Sequence, residues 1–182
     1  MNDCGIYENC TCRDCRGYVK SEKTWVLLNK LLILGIGNLL MGDEGIGIHV
    51  ARYLEQNFTW ENVDVVDGGT GGFHLLDYFK RYPIVILIDA TIDEQPAGSI
   101  RLIKPEFSSD YPPTLTAHDI GLKDLIDTLY LLNVKPEIWL YTISIANLDE
   151  VSMELSPEIE AVIPFAGNTI AAKISALIEK NQ

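Results

Sequence analysis

Strand-like and helix-like segments alternate along this chain from residue 31 onward, and this alternation restricts the fold more than any other feature. Leu31–Gly35 and Ile84–Ile88 are continuous apolar runs, the pattern of parallel strands that are buried on both faces. Between them, Gly45–Phe58 carries apolar residues at approximately helical spacing. The alternation predicts an α/β protein, a three-layer α/β/α sandwich whose central sheet is twisted, mostly parallel and made of about five strands.

The remaining elements follow from the same criteria. Further strands are predicted at Val63–Val66, Ile100–Ile103 and Ile138–Ile145, and further helices at residues 73–79, at Ile120–Leu132 and from Pro157 onward. The run at 84–88 should lie at the centre of the sheet, and the strand at 100–103 at an edge. Ser156 is a good N-cap for the last helix. Pro164 should kink or divide that helix, because proline lacks a backbone donor and clashes with the preceding turn.

The first thirty residues differ from the rest of the chain. They show neither helical nor strand periodicity, so we expect residues 1–30 to form an appendage and residues 31–182 to form one domain. All four cysteines lie in the appendage, at Cys4, Cys10, Cys12 and Cys15, which leaves the domain without a cysteine nucleophile or a disulfide. Four thiols this close together could bind zinc or an iron–sulfur cluster. The simpler alternatives are a reduced tail without metal or a local docking element.

The chain is strongly acidic, with a formal net charge of −12 at pH 7. Nucleic-acid binding requires a basic surface, so it is not expected, and anionic membrane surfaces are disfavoured for the same reason. The N-terminus lacks the pattern of a secretory signal, and the apolar run from Trp25 to Met41 is too interrupted for a membrane span. We therefore expect a cytoplasmic protein that could accept a basic or metal-bearing partner.

Three residues with metal-binding side chains follow the predicted strands at their carboxyl ends, where ligands bind in open α/β sheets. They are Glu44, Asp89 and His118. Two carboxylates and one imidazole make a mixed oxygen and nitrogen site with open positions for a substrate or water. Each residue also has a structural alternative: a first-turn helix acid, a loop acid that caps an amide, and a surface histidine. His49 and His74 are weaker candidates, for which packing or solvent exposure is expected.

The loop after the first strand of the domain has part of a dinucleotide-binding pattern. Gly35 and Gly37 match its first two glycines, but Leu40 occupies the third glycine position. Asp43 and Glu44 follow where an anionic phosphate would approach. Nucleotide binding is therefore disfavoured. The sequence also lacks the G-x-S-x-G elbow of serine hydrolases and the H-E-x-x-H motif of zinc peptidases.

Four motifs in order along residues 31–180 resemble the hydrogenase maturation endopeptidases. They are Gly35–Asn38 with Asp43–Gly47, then Asp67–Thr70, then Ile88–Ala90, and finally His118 with Gly121–Leu122. Thr116–Ala117 departs from the Ser-Pro or similar pair common before that histidine, and the cysteines of residues 1–30 fall outside the family pattern. The resemblance implies an α/β/α peptidase that removes the C-terminal extension of a nickel–iron hydrogenase large-subunit precursor after nickel insertion.

The resemblance also implies roles for individual residues. Glu44, Asp89 and His118 would contact a nickel ion that the precursor delivers and would form the catalytic site. Asp67, Gly68, Gly69, Thr70 and Asn38 would engage the substrate peptide. Either nickel would activate the carbonyl or a water, or Glu44 or Asp89 would act as general base. A monomer is expected.

Two other functions fit the same residues. A non-catalytic, chaperone-like checkpoint would bind a metal-bearing partner in the same groove without cutting it. A peptidase of the same fold would cut a different substrate and would not require nickel.

Overall fold

The computed structural model describes residues 18–21, 24–27, 30–105, 110, 120–146 and 151–180. The strands of the main sheet are β3 (Leu31–Gly35), β4 (Val63–Asp67), β5 (Ile84–Thr91), β6 (Ile100–Ile103) and β7 (Glu137–Ser144). The helices are α1 (Ile46–Asn57), α2 (Leu76–Arg81), α3 (Ile120–Leu131) and α4 (Pro157–Lys180). Two short 3-10 helices, Gly42–Gly45 and Phe73–Leu75, precede α1 and α2.

The sheet is mostly parallel and runs in the order β4-β3-β5-β7-β6. Only β6 is antiparallel within it, paired with β7 at one edge. The predicted central position of residues 84–88 and the predicted edge position of residues 100–103 are both confirmed. A parallel order with helical connections places the carboxyl ends of β3, β4, β5 and β7 at one edge of the sheet.

Helices cover both faces of this sheet. The apolar core on one face joins alternate residues of the strands to α1 and α4, and the core on the other face joins the intervening residues to α2 and α3. Because side chains alternate along a strand, the continuous apolar runs supply both cores at once. The predicted three-layer α/β/α architecture is confirmed.

Two glycines let α1 lie directly on the sheet. A Cβ at Gly47 of α1 would lie 2.2 Å from the carbonyl oxygens of Ile36 and Ile88. A Cβ at Gly35 of β3 would lie 2.6 Å from the carbonyl oxygen of Gly47 and 2.8 Å from the Cβ of Ala51. Both separations are shorter than van der Waals contact, so a larger residue at either position would push the helix away from the strands.

The last helix is one continuous element, so the alternative that Pro164 divides it was wrong, while a kink at Pro164 stays a prediction. Pro164 lies inside α4 and does not divide it. The side chain of Pro164 is exposed, so the helix turn that loses a hydrogen bond faces solvent, where water can satisfy the freed carbonyl. Within the described residues α4 is also the one helix long and apolar enough to cross a membrane. Its apolar face packs into the core beside α1, as in the core helix of a globular protein.

The appendage contains a regular element that the sequence analysis did not anticipate. β1 (Tyr18–Ser21) and β2 (Thr24–Leu27) pair as an antiparallel hairpin, and β2 contacts α2. The expectation that residues 1–30 lack strands was therefore wrong. Strands of four residues are too short to show a reliable alternating pattern. The cysteines at 4, 10, 12 and 15 lie outside the described residues.

Candidate active site

The buried polar residues of the described part of the chain lie together at the carboxyl edge of the sheet. They are Glu44, Asp89, Thr91, Thr142 and Ser144. Burying a polar group costs free energy, and burying a carboxylate costs more. Five such residues at one edge, in a core that is otherwise apolar, mark this edge as the candidate site.

Asp89 lies near the end of the central strand β5 and is fully buried. Its Oδ1 accepts a hydrogen bond from the backbone N–H of Ala90 at 2.8 Å. Asp89 is paired in register with Thr142 on β7, and Thr91 is paired with Ser144. Paired residues of parallel strands point to the same face of a sheet. The carboxylate therefore shares its surroundings with the hydroxyl side chains of three neighbours.

Thr142 and Ser144 are site residues that the sequence analysis missed. The strand Ile138–Ile145 was interpreted there only as a β-prone run. Its alternation contained the signal, because residues 138 and 140 are apolar and the next two residues on the same face are hydroxylated. Polar residues that replace the core pattern at the carboxyl end of a strand indicate a site lining.

Glu44 lies in the 3-10 helix Gly42–Gly45, between β3 and α1, and is buried. Gly37 makes room for it: a Cβ at Gly37 would lie 2.1 Å from the Glu44 carbonyl oxygen, and the Gly37 φ of +149° favours glycine. The 3-10 helix contacts β5. Gly47 follows Glu44 by three residues, and a Cβ at Gly47 would lie 2.2 Å from the carbonyl oxygen of Ile88 in β5. Glu44 and Asp89 are therefore brought to the same edge, as predicted.

Asp43, next to Glu44 in sequence, has a different environment. Its two carboxylate oxygens accept hydrogen bonds from the backbone N–H of Ser156 at 2.6 Å and from the Ser156 hydroxyl at 2.9 Å. The Ser156 hydroxyl also accepts from the N–H of Ile159 at 3.4 Å, as the predicted N-cap of α4 should. Asp43 thus joins the loop that carries Glu44 to the start of α4.

The segment Asp67–Thr70 borders the same edge. Asp67 accepts a hydrogen bond from the N–H of Gly69 at 2.9 Å and forms an ion pair with Arg52 of α1 at 3.1 Å. The Gly37 N–H donates to the Gly69 carbonyl at 2.8 Å, which joins this loop to the loop after β3. Thr70 is exposed. Asp67 therefore shapes this loop and joins it to α1.

Asn38 also has a local role in this structure. Its Oδ1 accepts a hydrogen bond from the N–H of Leu40 at 3.0 Å, and its carbonyl accepts from the N–H of Met41 at 3.1 Å. This is the turn that asparagine side chains favour. The turn directs the chain between β3 and the 3-10 helix that carries Glu44.

The histidines divide into three cases. His118 lies outside the described residues. His49, on α1, is partly buried, and burial together with the Arg52 guanidinium lowers its pKa, against the opposing effect of Glu160. His74 is exposed in the short helix that follows Gly72. Among the described residues, no group of three or more metal-binding side chains is found. The described part of the candidate site therefore contains two carboxylates, Glu44 and Asp89, and no third metal-binding side chain beside them.

Comparison with known proteins is consistent with this geometry. The family model for HycI, described as a hydrogenase maturation protease, matches residues 48–173, more than half of the chain. This chain belongs to the hydrogenase maturation protease family. The matched range includes Asp89, Thr142 and Ser144 and begins after Glu44.

Curated relatives of the family are similar over most of the chain. A hydrogenase 2 maturation protease of Escherichia coli K12 is 28% identical over 148 residues, which cover 80% of this chain and 90% of that protein. A hydrogenase expression/formation protein, HupD, of Rhodobacter capsulatus is 31% identical over 144 residues, 75% of this chain and 67% of that protein.

Solved structures show the same fold. The hydrogenase maturating endopeptidase HybD from E. coli has a TM-score of 0.74 at 28% identity, covering 81% of this chain and 93% of that one. A [NiFe] hydrogenase maturation protease, HybD, from Thermococcus kodakarensis has a TM-score of 0.65 at 29% identity, covering 80% and 98%. The expected family, fold and peptidase activity are confirmed, and the family membership does not support a non-catalytic checkpoint.

Proposed function

We propose that this peptidase removes the C-terminal extension of a nickel–iron hydrogenase large-subunit precursor once nickel has been inserted. The observation that carries the proposal is the pair of buried carboxylates, Glu44 and Asp89, at the carboxyl edge of the sheet, where ligands bind in open α/β folds. In this proposal both carboxylates and His118 contact nickel that arrives with the precursor. Nickel is thus part of the substrate.

The ligand set explains why the metal would travel with the substrate. Two carboxylates and one imidazole contain no thiolate and leave coordination positions open, so they should hold a free nickel ion only moderately. Thiolates of the precursor would fill the remaining positions. Precursor without nickel would then lack the group that these residues bind, and it would escape cleavage.

The hydroxyl groups around Asp89 suit this task. Thr91, Thr142 and Ser144 are buried beside it, and a hydroxyl can donate to a carboxylate or accept from a bound water. Among the described residues the Thr142 and Ser144 hydroxyls make no hydrogen bond, so both are open to a bound water or to the substrate. A carboxylate in such polar surroundings could bind the metal or take the proton of an attacking water.

The proposed peptide contacts lie on the two loops that are joined at Gly37 and Gly69. Asn38, Asp67, Gly68, Gly69 and Thr70 form that part of the edge. Backbone groups of a glycine-rich loop can approach an extended peptide closely. The proposed setting is the cytoplasm, with the chain acting as a monomer on the precursor.

Cleavage of purified precursor tests the proposal. The wild-type chain should shorten nickel-loaded precursor and leave nickel-free precursor intact, as read by intact-protein mass spectrometry. Asp89→Asn, Glu44→Gln and His118→Ala should each lose most of the activity. His74→Ala should retain it, because His74 is an exposed histidine of the short 3-10 helix before α2. No mass loss from loaded precursor would refute the proposal.

The remaining alternative is a peptidase of this family fold that acts on another substrate without nickel. Equal cleavage of loaded and nickel-free precursor would favour it and would remove nickel from the recognition step. Retention of activity by His118→Ala would remove that histidine from the site and leave the two carboxylates.

A further inference from the structure

Three exposed apolar side chains lie beside the candidate site. Leu40 is 57% exposed, Val151 85% and Met153 74%. Leu40 belongs to the loop after β3, and the other two belong to the segment that leads into α4. Side chains of this size are usually buried, and several together on a surface indicate a binding site. We refer to Leu40, Val151 and Met153 as the apolar rim.

Backbone hydrogen bonds hold the three residues of the apolar rim together. The Ser152 N–H, between Val151 and Met153, donates to the Leu40 carbonyl at 3.1 Å, and the Gly42 N–H donates to the Ser152 carbonyl at 2.6 Å. Met41 and Ser152 form a parallel β-bridge. These contacts fix the two segments side by side, so the apolar side chains are presented from an ordered backbone.

The apolar rim is continuous with the loop that carries Glu44. Leu40 precedes Glu44 by four residues, and consecutive Cα atoms are about 3.8 Å apart, so the two Cα atoms lie within about 15 Å. An extended peptide spans this distance with roughly five residues. A polypeptide whose scissile bond lies at Glu44 and Asp89 therefore has flanking residues within reach of the apolar rim.

We propose that the apolar rim docks an apolar segment of the precursor polypeptide next to its scissile bond. The proposal rests on the proposed function, because it names a binding surface for that substrate. A second copy of this chain is a poor occupant, since it would cover the loop that carries Glu44. An anionic membrane is also a poor occupant for a chain with a net charge of −12.

The test compares the double variant Val151→Ser/Met153→Ser with Leu131→Ser. Leu131 is 87% exposed, similar to Val151, and lies at the end of α3, which leads to the amino end of β7. It therefore controls for the loss of an exposed apolar side chain far from the site. Both proteins should melt close to the wild-type temperature, because the substituted side chains are exposed. Leu40→Ser provides an independent variant on the other segment.

For the double variant we expect the KM for nickel-loaded precursor to rise at least about tenfold. This rise corresponds to a loss of about 1.4 kcal/mol of binding free energy. The kcat of the double variant should stay within about twofold, because the apolar rim holds the polypeptide and does not touch the reacting bond. Leu40→Ser should shift KM in the same direction, and Leu131→Ser should match the wild type.

Each other outcome overturns a defined claim. If wild-type protein cleaves the precursor and the variants on both segments keep its KM, the docking proposal is wrong and the proposed function stands. If the variants lose kcat at an unchanged KM, the apolar rim has no docking role. If wild-type protein neither cleaves nor binds loaded precursor, the proposed function fails and the docking proposal fails with it. A wild-type dimer that the double variant dissolves, seen by light scattering, would assign the apolar rim to self-association.

Discussion

Replacement of Gly47 by alanine tests the contact that places the candidate site on the sheet. Gly47 lies in the first turn of α1, where a Cβ would stand 2.2 Å from the carbonyl oxygens of Ile36 and Ile88. Both of these atoms belong to the backbone, so no side chain can rotate away to relieve the overlap. The added methyl group must therefore move α1 away from the ends of β3 and β5.

The magnitude follows from two opposing effects. Alanine is favoured over glycine inside a helix by about 1 kcal/mol. Forcing an additional carbon into a packed core costs about 1–3 kcal/mol and sometimes more, and two rigid backbone neighbours put this case at or above the upper limit. We expect Gly47→Ala to lower the free energy of unfolding by roughly 2 kcal/mol or more, a fall in Tm of about 4–8 °C for a chain of this length.

Thermal and urea unfolding, followed by circular dichroism, measure the change. Gly69→Ala is the matched control, because no atom lies within 4 Å of a Cβ at Gly69 and its φ of +55° is the main cost of the substitution. That cost is about 1–2 kcal/mol, partly offset by the reduced entropy of the unfolded chain. Gly47→Ala should also lower precursor cleavage, since Glu44 lies in the 3-10 helix that leads directly into the displaced helix. The packing argument would be refuted if Gly47→Ala were as stable as the wild type. It would also be refuted if Gly47→Ala lost less unfolding free energy than Gly69→Ala.

Three further predictions concern other parts of the chain. Asp43→Ala removes both hydrogen bonds to Ser156 and should cost about 1.5–3 kcal/mol of unfolding free energy in urea titrations, whereas the exposed Asp77→Ala should change it by less than about 0.5 kcal/mol. Burial lowers the pKa of His49, so its contribution to stability is complete above its ordinary pKa of about 6.5 and is lost as the pH falls below that value. His49→Gln should flatten this decline in Tm at low pH, and a pH profile of Tm equal to that of the wild type would contradict the prediction. Purified full-length protein should contain zinc or iron that is lost on deletion of residues 1–15, as measured by elemental analysis, and a metal-free preparation from metal-rich medium would argue against the cysteine site.

The fold could be predicted from the sequence because its main signal is local. Apolar runs that are buried on both faces identify central parallel strands, and helical spacing between them identifies the covering layers. The positions of Glu44 and Asp89 follow from the same reasoning, since parallel strands bring their carboxyl ends to one edge. His118 was predicted from its place between two predicted strands and from the order of motifs, and this remains a prediction.

Other features depend on contacts between distant residues and could not be read from local patterns. Asp43 and Ser156 are separated by 113 positions in the chain, and nothing near either residue identifies its partner. The sequence analysis selected Glu44 as a site residue and gave Asp43 no role of its own, although Asp43 joins two segments of backbone. The continuity of α4 through Pro164 also depends on which side of the helix faces solvent, and only tertiary packing decides that.

The loop after β3 is held on several sides, and this bears on how nickel would reach the site. Gly37 is hydrogen-bonded to Gly69, Gly42 to Ser152, and Asp43 to Ser156, so the loop after β4 and the segment before α4 both support the segment that carries Glu44. A carboxylate on such a segment need not reorganise when its ligand arrives, which is the arrangement expected of a preorganised site. If nickel comes with the precursor, Glu44 and Asp89 must keep their positions in its absence, and the cost of burying two acids must be met by the surrounding fold. On this reasoning Asp43→Ala should impair cleavage of loaded precursor even where the protein remains folded, because it loosens Glu44 without removing it.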